Sequence, residues 1–176
     1  MTLRYPECPK KPNLNDEILW RTEVIAYLTK TYTEGLVPSQ ELQELRIYRG
    51  AAGFWGDKTR TKNILGPNGL ILAPNGLCVS LLHTGKTYAD AVTNNHIFYH
   101  YPKTKRPGGT DANEVAAARA TNEYRVPIFV ILPGKSKPTR DVRLGWIVAD
   151  ITEENVFMVE FTKNDPGRLG DRLVGG

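Results

Sequence analysis

The run Val126–Leu132 (VPIFVIL) is almost continuously apolar. A stretch of that length reads as a strand buried within a sheet, because a half-exposed strand would alternate apolar with polar residues. Pro127 donates no N–H to a ladder, so it belongs at the strand start. Two further strands follow, Val142–Asp150 and Val156–Phe161, separated by a turn at Thr152-Glu153-Glu154-Asn155. Upstream, Pro67-Asn68-Gly69 and Pro74-Asn75-Gly76 are turn signals, and Gly69–Ala73 and Leu77–His83 read as strands paired across a short reversal. His96–Tyr101 reads as another strand.

Helical signals lie elsewhere. Asn15 or Asp16 can cap a helix running to about Thr33, with Ile18, Leu19, Ile25 and Leu28 on or near one stripe and Gly35 ending it. Pro38-Ser39-Gln40-Glu41 starts a second helix that carries Leu42 and Leu45. A third, alanine-rich helix runs from Asp111 to near Arg125, with Asp111 and Glu114 at capping-box spacing. The fold class is therefore α+β: N-terminal helices followed by a mostly antiparallel sheet with one inserted helix. Residues 1–162 form one domain, and 163–176, rich in Gly with a Pro, read as a linker toward a domain beyond this sequence.

Charge narrows the class of partner. Residues 49–143 carry fourteen Lys/Arg against six Asp/Glu, whereas residues 1–48 carry six against seven and 144–176 three against six. A basic centre between mildly acidic ends suits a polyanion. No apolar run is long enough to span a bilayer, and the N-terminus lacks the apolar core of a signal peptide, so the expected compartment is the cytoplasm. Cys8 and Cys78 fit no metal or redox spacing and read as reduced thiols. Three histidines, His83, His96 and His100, without a nucleophile elbow, Walker loop or Cys–His pairing, give no catalytic or metal set. The expectation is a binding module with no catalytic residues and no cofactor.

Two segments combine rings with cations. Phe98-Tyr99-His100-Tyr101-Pro102-Lys103-Thr104-Lys105-Arg106-Pro107 places rigid apolar walls beside groups that attract phosphate. Arg49-Gly50-Ala51-Ala52-Gly53-Phe54-Trp55-Gly56 joins a cation able to pair with guanine to small residues that let backbone approach a ligand. Lys58, Arg60 and Lys62 follow at period two, which would place them on one cationic face. Lys135, Lys137, Arg140 and Arg143 read as a solvated hairpin tip.

Taken in order, IYRGAAGFWGDKTRT, LLHTGKTYAD, YHYPKTKRPGGTDANEVAAARATNE, VPIFVI and TRDVRLGWI resemble the sulfur-binding domain of type IV restriction endonucleases, which joins an HNH nuclease domain. The resemblance spans roughly Ile47 to Phe161 and lies in the order of the blocks. It implies recognition of double-stranded DNA in which sulfur replaces one non-bridging backbone oxygen, a phosphorothioate. Tyr101 and Pro102 would wall the sulfur pocket, with Lys105 and Arg106 beside them. Arg49, Gly50, Gly53, Lys58, Arg60, Tyr99, His100, Lys103 and Arg125 would contact bases or phosphates. Two other readings stay open at this stage. One is a methylcytosine-reading, base-flipping domain, with aromatics at 54, 55, 99 and 101 as the cage. The other is a protein-interaction domain whose basic face meets an acidic partner.

Overall fold

The computed structural model describes residues 4–50, 53–83, 96–102 and 110–161. Helix α1 spans Leu14–Thr31, opened by a capping box in which the Asn13 side chain accepts from the Asp16 N–H and Asp16 returns the bond. The cap is therefore Asn13 rather than the expected Asn15 or Asp16. A two-residue strand, β1 (Val37–Pro38), leads directly into α2 (Ser39–Glu44). Strand β2 (Gly53–Trp55) and a one-turn helix α3 (Lys58–Thr61) follow, then β3 (Ser80–Leu82), β4 (His96–His100), α4 (Thr110–Glu123), β5 (Ile128–Pro133), β6 (Thr139–Ile151) and β7 (Val156–Phe161).

The α+β expectation holds. The sheet runs β2-β3-β5-β6-β7-β4, with β1 pairing the start of β6. Every pairing is antiparallel except that of β3 with β5. The buried run 126–132 supplies β5, placed between β3 and β6 as its composition requires. Its side chains alternate between two cores. Phe129 and Ile131 pack toward α1 with Trp20, Val24, Ile25 and Leu28, while Ile128 and Val130 face the concave side with Phe157, Val159 and Phe161. Helix α4 presses Ala118, Val115 and Ala117 into that concave side. Small residues there let a helix lie within the curl of a sheet.

The sheet curls far enough to bring its two ends together. Phe54 on β2 meets Tyr99 on β4 edge-on at 4.9 Å, and meets Phe157 at 5.8 Å. Gly53 sits at this seam with φ +99°, and a Cβ there would stand 2.3 Å from the Tyr99 hydroxyl oxygen. Only glycine combines that backbone with that approach.

Three expectations need correcting. Gly69–Ala73 is not a strand: the segment carries only an isolated bridge between Leu65 and Ile71. Its supposed partner pairs elsewhere, since β3 lies between β2 and β5. The local turn signals are real, and Gly69 and Gly76 both have positive φ, but the ladder partners of residues 80–82 are distant in sequence. Lastly, α4 begins at Thr110, so Asp111 lies inside its first turn rather than at the cap. The linker expected at 163–176 lies outside the described residues.

Candidate nucleic-acid interface

The first element of the site is a buried ionic cluster beneath the Arg49 segment. Helix α3 turns about 100° per residue, so Lys58 and Lys62 share one side while Arg60 points to the opposite one. Lys58 is exposed, and Arg60 is only 4% exposed. Its guanidinium donates to Glu17 at 2.9 and 3.0 Å and to Asp57 at 3.0 Å, and lies 4.6 Å over the Trp20 ring. Glu17, fully buried, also accepts from Arg21 at 2.8 Å. Arg21 in turn donates to the carbonyls of Cys78 and Pro127 at 2.7 and 2.8 Å. Burial pushes the Glu17 carboxyl up, but Arg21 and Arg60 outweigh it and hold the group below the ordinary carboxylate range. Arg60, expected among the DNA contacts, is therefore a structural pin. It ties α1 to the segment that carries Arg49, and Arg46 adds a further bond to Asp57 at 2.8 Å.

Arg49 itself is exposed, with its guanidinium 5.6 Å over the Trp55 ring. Gly50 is exposed with φ +85°, as close backbone approach to a ligand allows. Gly53 is buried at the sheet seam, which fits a closing role rather than a contact. Tyr99 is buried between Phe54 and the seam, so it too supports the site from beneath. His100 and Arg125 are exposed, Arg125 with φ +54° just after α4.

The second element is the corner that follows β4. Tyr101 and Pro102 are both half-buried. The Tyr101 ring packs on Phe157 at 4.8 Å. Its hydroxyl donates to the Asp150 carboxylate, at the end of β6. Arg119, from α4, donates to the other Asp150 oxygen at 2.7 Å and to the Tyr101 oxygen at 3.3 Å. Its guanidinium lies 5.6 Å from the ring centroid. Burial and the bond to Asp150 raise the Tyr101 hydroxyl pKa above its ordinary value, against the opposing pull of Arg119. The bond to Asp150 raises that of Arg119 in turn. Lys103, Lys105 and Arg106 lie outside the described residues.

Packed rings connect the two elements. Phe54, within the Arg49 segment, touches Tyr99 and Phe157, and Phe157 touches Tyr101. The sequence singles out Tyr101, Pro102 and Arg49; the structure adds Arg119 and Asp150 as the partners of Tyr101. The available signal was a lone arginine within the alanine-rich stretch of α4. The 135–143 cluster divides. Lys135 and Lys137 are exposed on the β5–β6 hairpin, Arg140 lies over Tyr48, and Arg143 pairs with Asp141 and Glu34, both at 3.0 Å. Among the described residues, no group of three His, Cys, Asp or Glu is placed to hold a metal ion. No helix among them is long and apolar enough to cross a membrane.

No protein-family model matches the chain, and no curated protein matches it. Among solved structures it is similar to a modification-dependent TagI restriction endonuclease, at 17% identity, TM-score 0.38, over 76% of this chain and 50% of that one. It is similar also to the SUVH5 SRA in complex with fully methylated CG DNA, at 14% identity, TM-score 0.38, over 74% of this chain and 82% of that one. A complex of the same protein with methylated CHH DNA gives 15% identity and TM-score 0.37. The chain thus spans about half the length of the TagI structure.

Proposed function

We propose that this chain is a non-catalytic module that binds modified double-stranded DNA, reading a backbone phosphorothioate at the Tyr101–Pro102 corner and adjacent bases or phosphates with the Arg49 segment, as the targeting part of a restriction endonuclease. The observation that carries this reading is the corner itself. An aromatic ring and a proline, half-buried at the exit of an edge strand, lead directly into Lys103-Thr104-Lys105-Arg106. Sulfur is larger and more polarisable than oxygen and a weaker hydrogen-bond acceptor. Ring methylenes and a ring edge give it dispersion contact. An ordinary phosphate oxygen brought there loses water without a replacement bond, a cost of about 1–3 kcal/mol. Cations such as those that follow in the sequence attract both backbones equally, so the discrimination resides in the walls.

A second reading has one observation in its favour. Asp150, only 16% exposed, is an acceptor beside an aromatic ring at the end of the curled sheet, and an extruded cytosine would offer its amino group to such a carboxylate. Of the four rings considered for a base cage, however, Phe54 and Tyr99 pack against each other, and Trp55 lies under Arg49.

The test is a mobility shift with matched duplexes: unmodified, cytosine-methylated and phosphorothioated in one stereochemistry. The expected result is tightest binding to the phosphorothioate. Tyr101→Ala and Pro102→Ala should each reduce the ratio of modified to unmodified affinity by about 1–3 kcal/mol, with unmodified binding almost unchanged. Melting temperature is read alongside, because Tyr101 also packs on Phe157. A ratio that survives both substitutions in folded protein removes the sulfur site from this corner. Preference for the methylated duplex selects the second reading.

A further inference from the structure

A carboxylate in the wall of a phosphate-binding pocket is unexpected, since it repels the ligand's charge. Asp150 nevertheless adjoins Tyr101 at the corner proposed above, and its two oxygens are both engaged. One accepts from the Tyr101 hydroxyl and the other from Arg119 Nε at 2.7 Å. A phenol has one proton to donate. Directed at Asp150, that proton is withheld from any other acceptor, and the phenol oxygen accepts from Arg119 at 3.3 Å. The same carboxylate draws the Arg119 guanidinium back over the Tyr101 ring, 5.6 Å from its centroid.

We propose that Asp150 is a specificity-determining residue: by holding the Tyr101 proton and the Arg119 Nε–H, it keeps those two donors from a phosphate oxygen at the corner. This rests on the phosphorothioate reading above. Its physical content is an asymmetry between two ligands. Oxygen gains much from a nearby donor, whereas sulfur gains little, so a donor in the pocket would erase selectivity by strengthening the wrong complex. Asp150 lowers the affinity for both backbones through its charge and lowers it further for oxygen. Arg119, half exposed at 50%, is the cation that would swing onto a backbone phosphate if the carboxylate were neutralised.

Neutralising Asp150 should therefore improve binding to ordinary DNA. Affinities of the wild-type chain, Asp150→Asn and Asp150→Ser are measured on duplexes that differ by one sulfur atom, across a salt series, with melting temperatures in parallel. Asp150→Asn is expected to tighten binding to the unmodified duplex and to lower the modified-to-unmodified ratio roughly tenfold, the effect of one charge-assisted hydrogen bond. Release of Arg119 should steepen the salt dependence on unmodified DNA by about one unit. Asp150→Ser carries the same expectation as Asp150→Asn if the amide proves unstable. An unchanged ratio in Asp150→Asn or Asp150→Ser, or equal losses on both duplexes, overturns the role of Asp150 while the wild-type sulfur preference leaves the function standing. A wild-type chain that shows no sulfur preference overturns the functional reading and this one with it.

Discussion

Replacing Glu17 by Gln keeps the shape of the side chain and removes its charge, and the structure sets the scale of the result. Glu17 is fully buried and accepts three bonds of 2.8–3.0 Å from Arg21 and Arg60. An amide retains one acceptor but turns an NH2 group toward a guanidinium. Two buried cations then lose their shared anion, and of the two only Arg60 keeps a carboxylate, Asp57, which it shares with Arg46. Breaking a buried pair by removing one partner costs about 3–5 kcal/mol, mostly from the charge left behind. In a domain of this size each kcal/mol moves the melting temperature by about 2–4 °C, so Glu17→Gln should lower it by roughly 6–20 °C. The pH dependence follows from the same group. Its folded pKa lies below the ordinary carboxylate range, so its contribution is fully present above that range and is lost as pH falls through the folded value. Calorimetry of wild type and Glu17→Gln from pH 7 downward should therefore show two curves that converge in acid. A drop of under 2 °C at pH 7, or a gap that does not narrow in acid, would refute the view that this cluster pins the Arg49 segment to α1.

Gly53→Ala should destabilise the fold by about 2–4 kcal/mol, because it joins a positive φ to a Cβ placed 2.3 Å from the Tyr99 hydroxyl oxygen; urea titration measures it, and a loss under about 0.5 kcal/mol would mean the seam is not closed as described. Arg49→Ala should weaken DNA binding and relax base preference more than Lys135→Ala, by about 1–3 kcal/mol at the read position against a change of about one unit in salt slope. Binding across a panel of duplex sequences checks this, and equal, sequence-independent losses for both would count against base readout by Arg49.

Much of the architecture is legible in the sequence because it is written in local periodicity. Helices α1, α2 and α4, the buried strand β5 and the hairpin of β6 and β7 all follow from spacing and turn chemistry. What periodicity does not carry is partnership. Residues 80–82 look like half of a local hairpin, yet they pair with Gly53–Trp55 and, in parallel, with residues 129–131. The same gap misplaces Arg60. Lys58, Arg60 and Lys62 alternate as a strand would present them, and the single turn of α3 rotates the middle one into the core, where Glu17 waits 43 positions away. Asp150 and Arg119 stayed hidden for the same reason, since 31 residues separate the two ends of their bond.

The sheet's first and last strands are joined by the rings of Phe54 and Tyr99 rather than by consecutive positions in the ladder. A ladder resists opening through many directional bonds that must break together, whereas rings packed edge to face can slide apart and return at small cost. The seam is thus a line where the curled sheet closes on ring contacts. Both candidate DNA-contacting segments border it, one entering β2 and the other leaving β4. A duplex gripping the two at once would act as a hoop around a split cylinder, tightening the wall from outside and coupling the stiffness of the protein to the presence of its ligand.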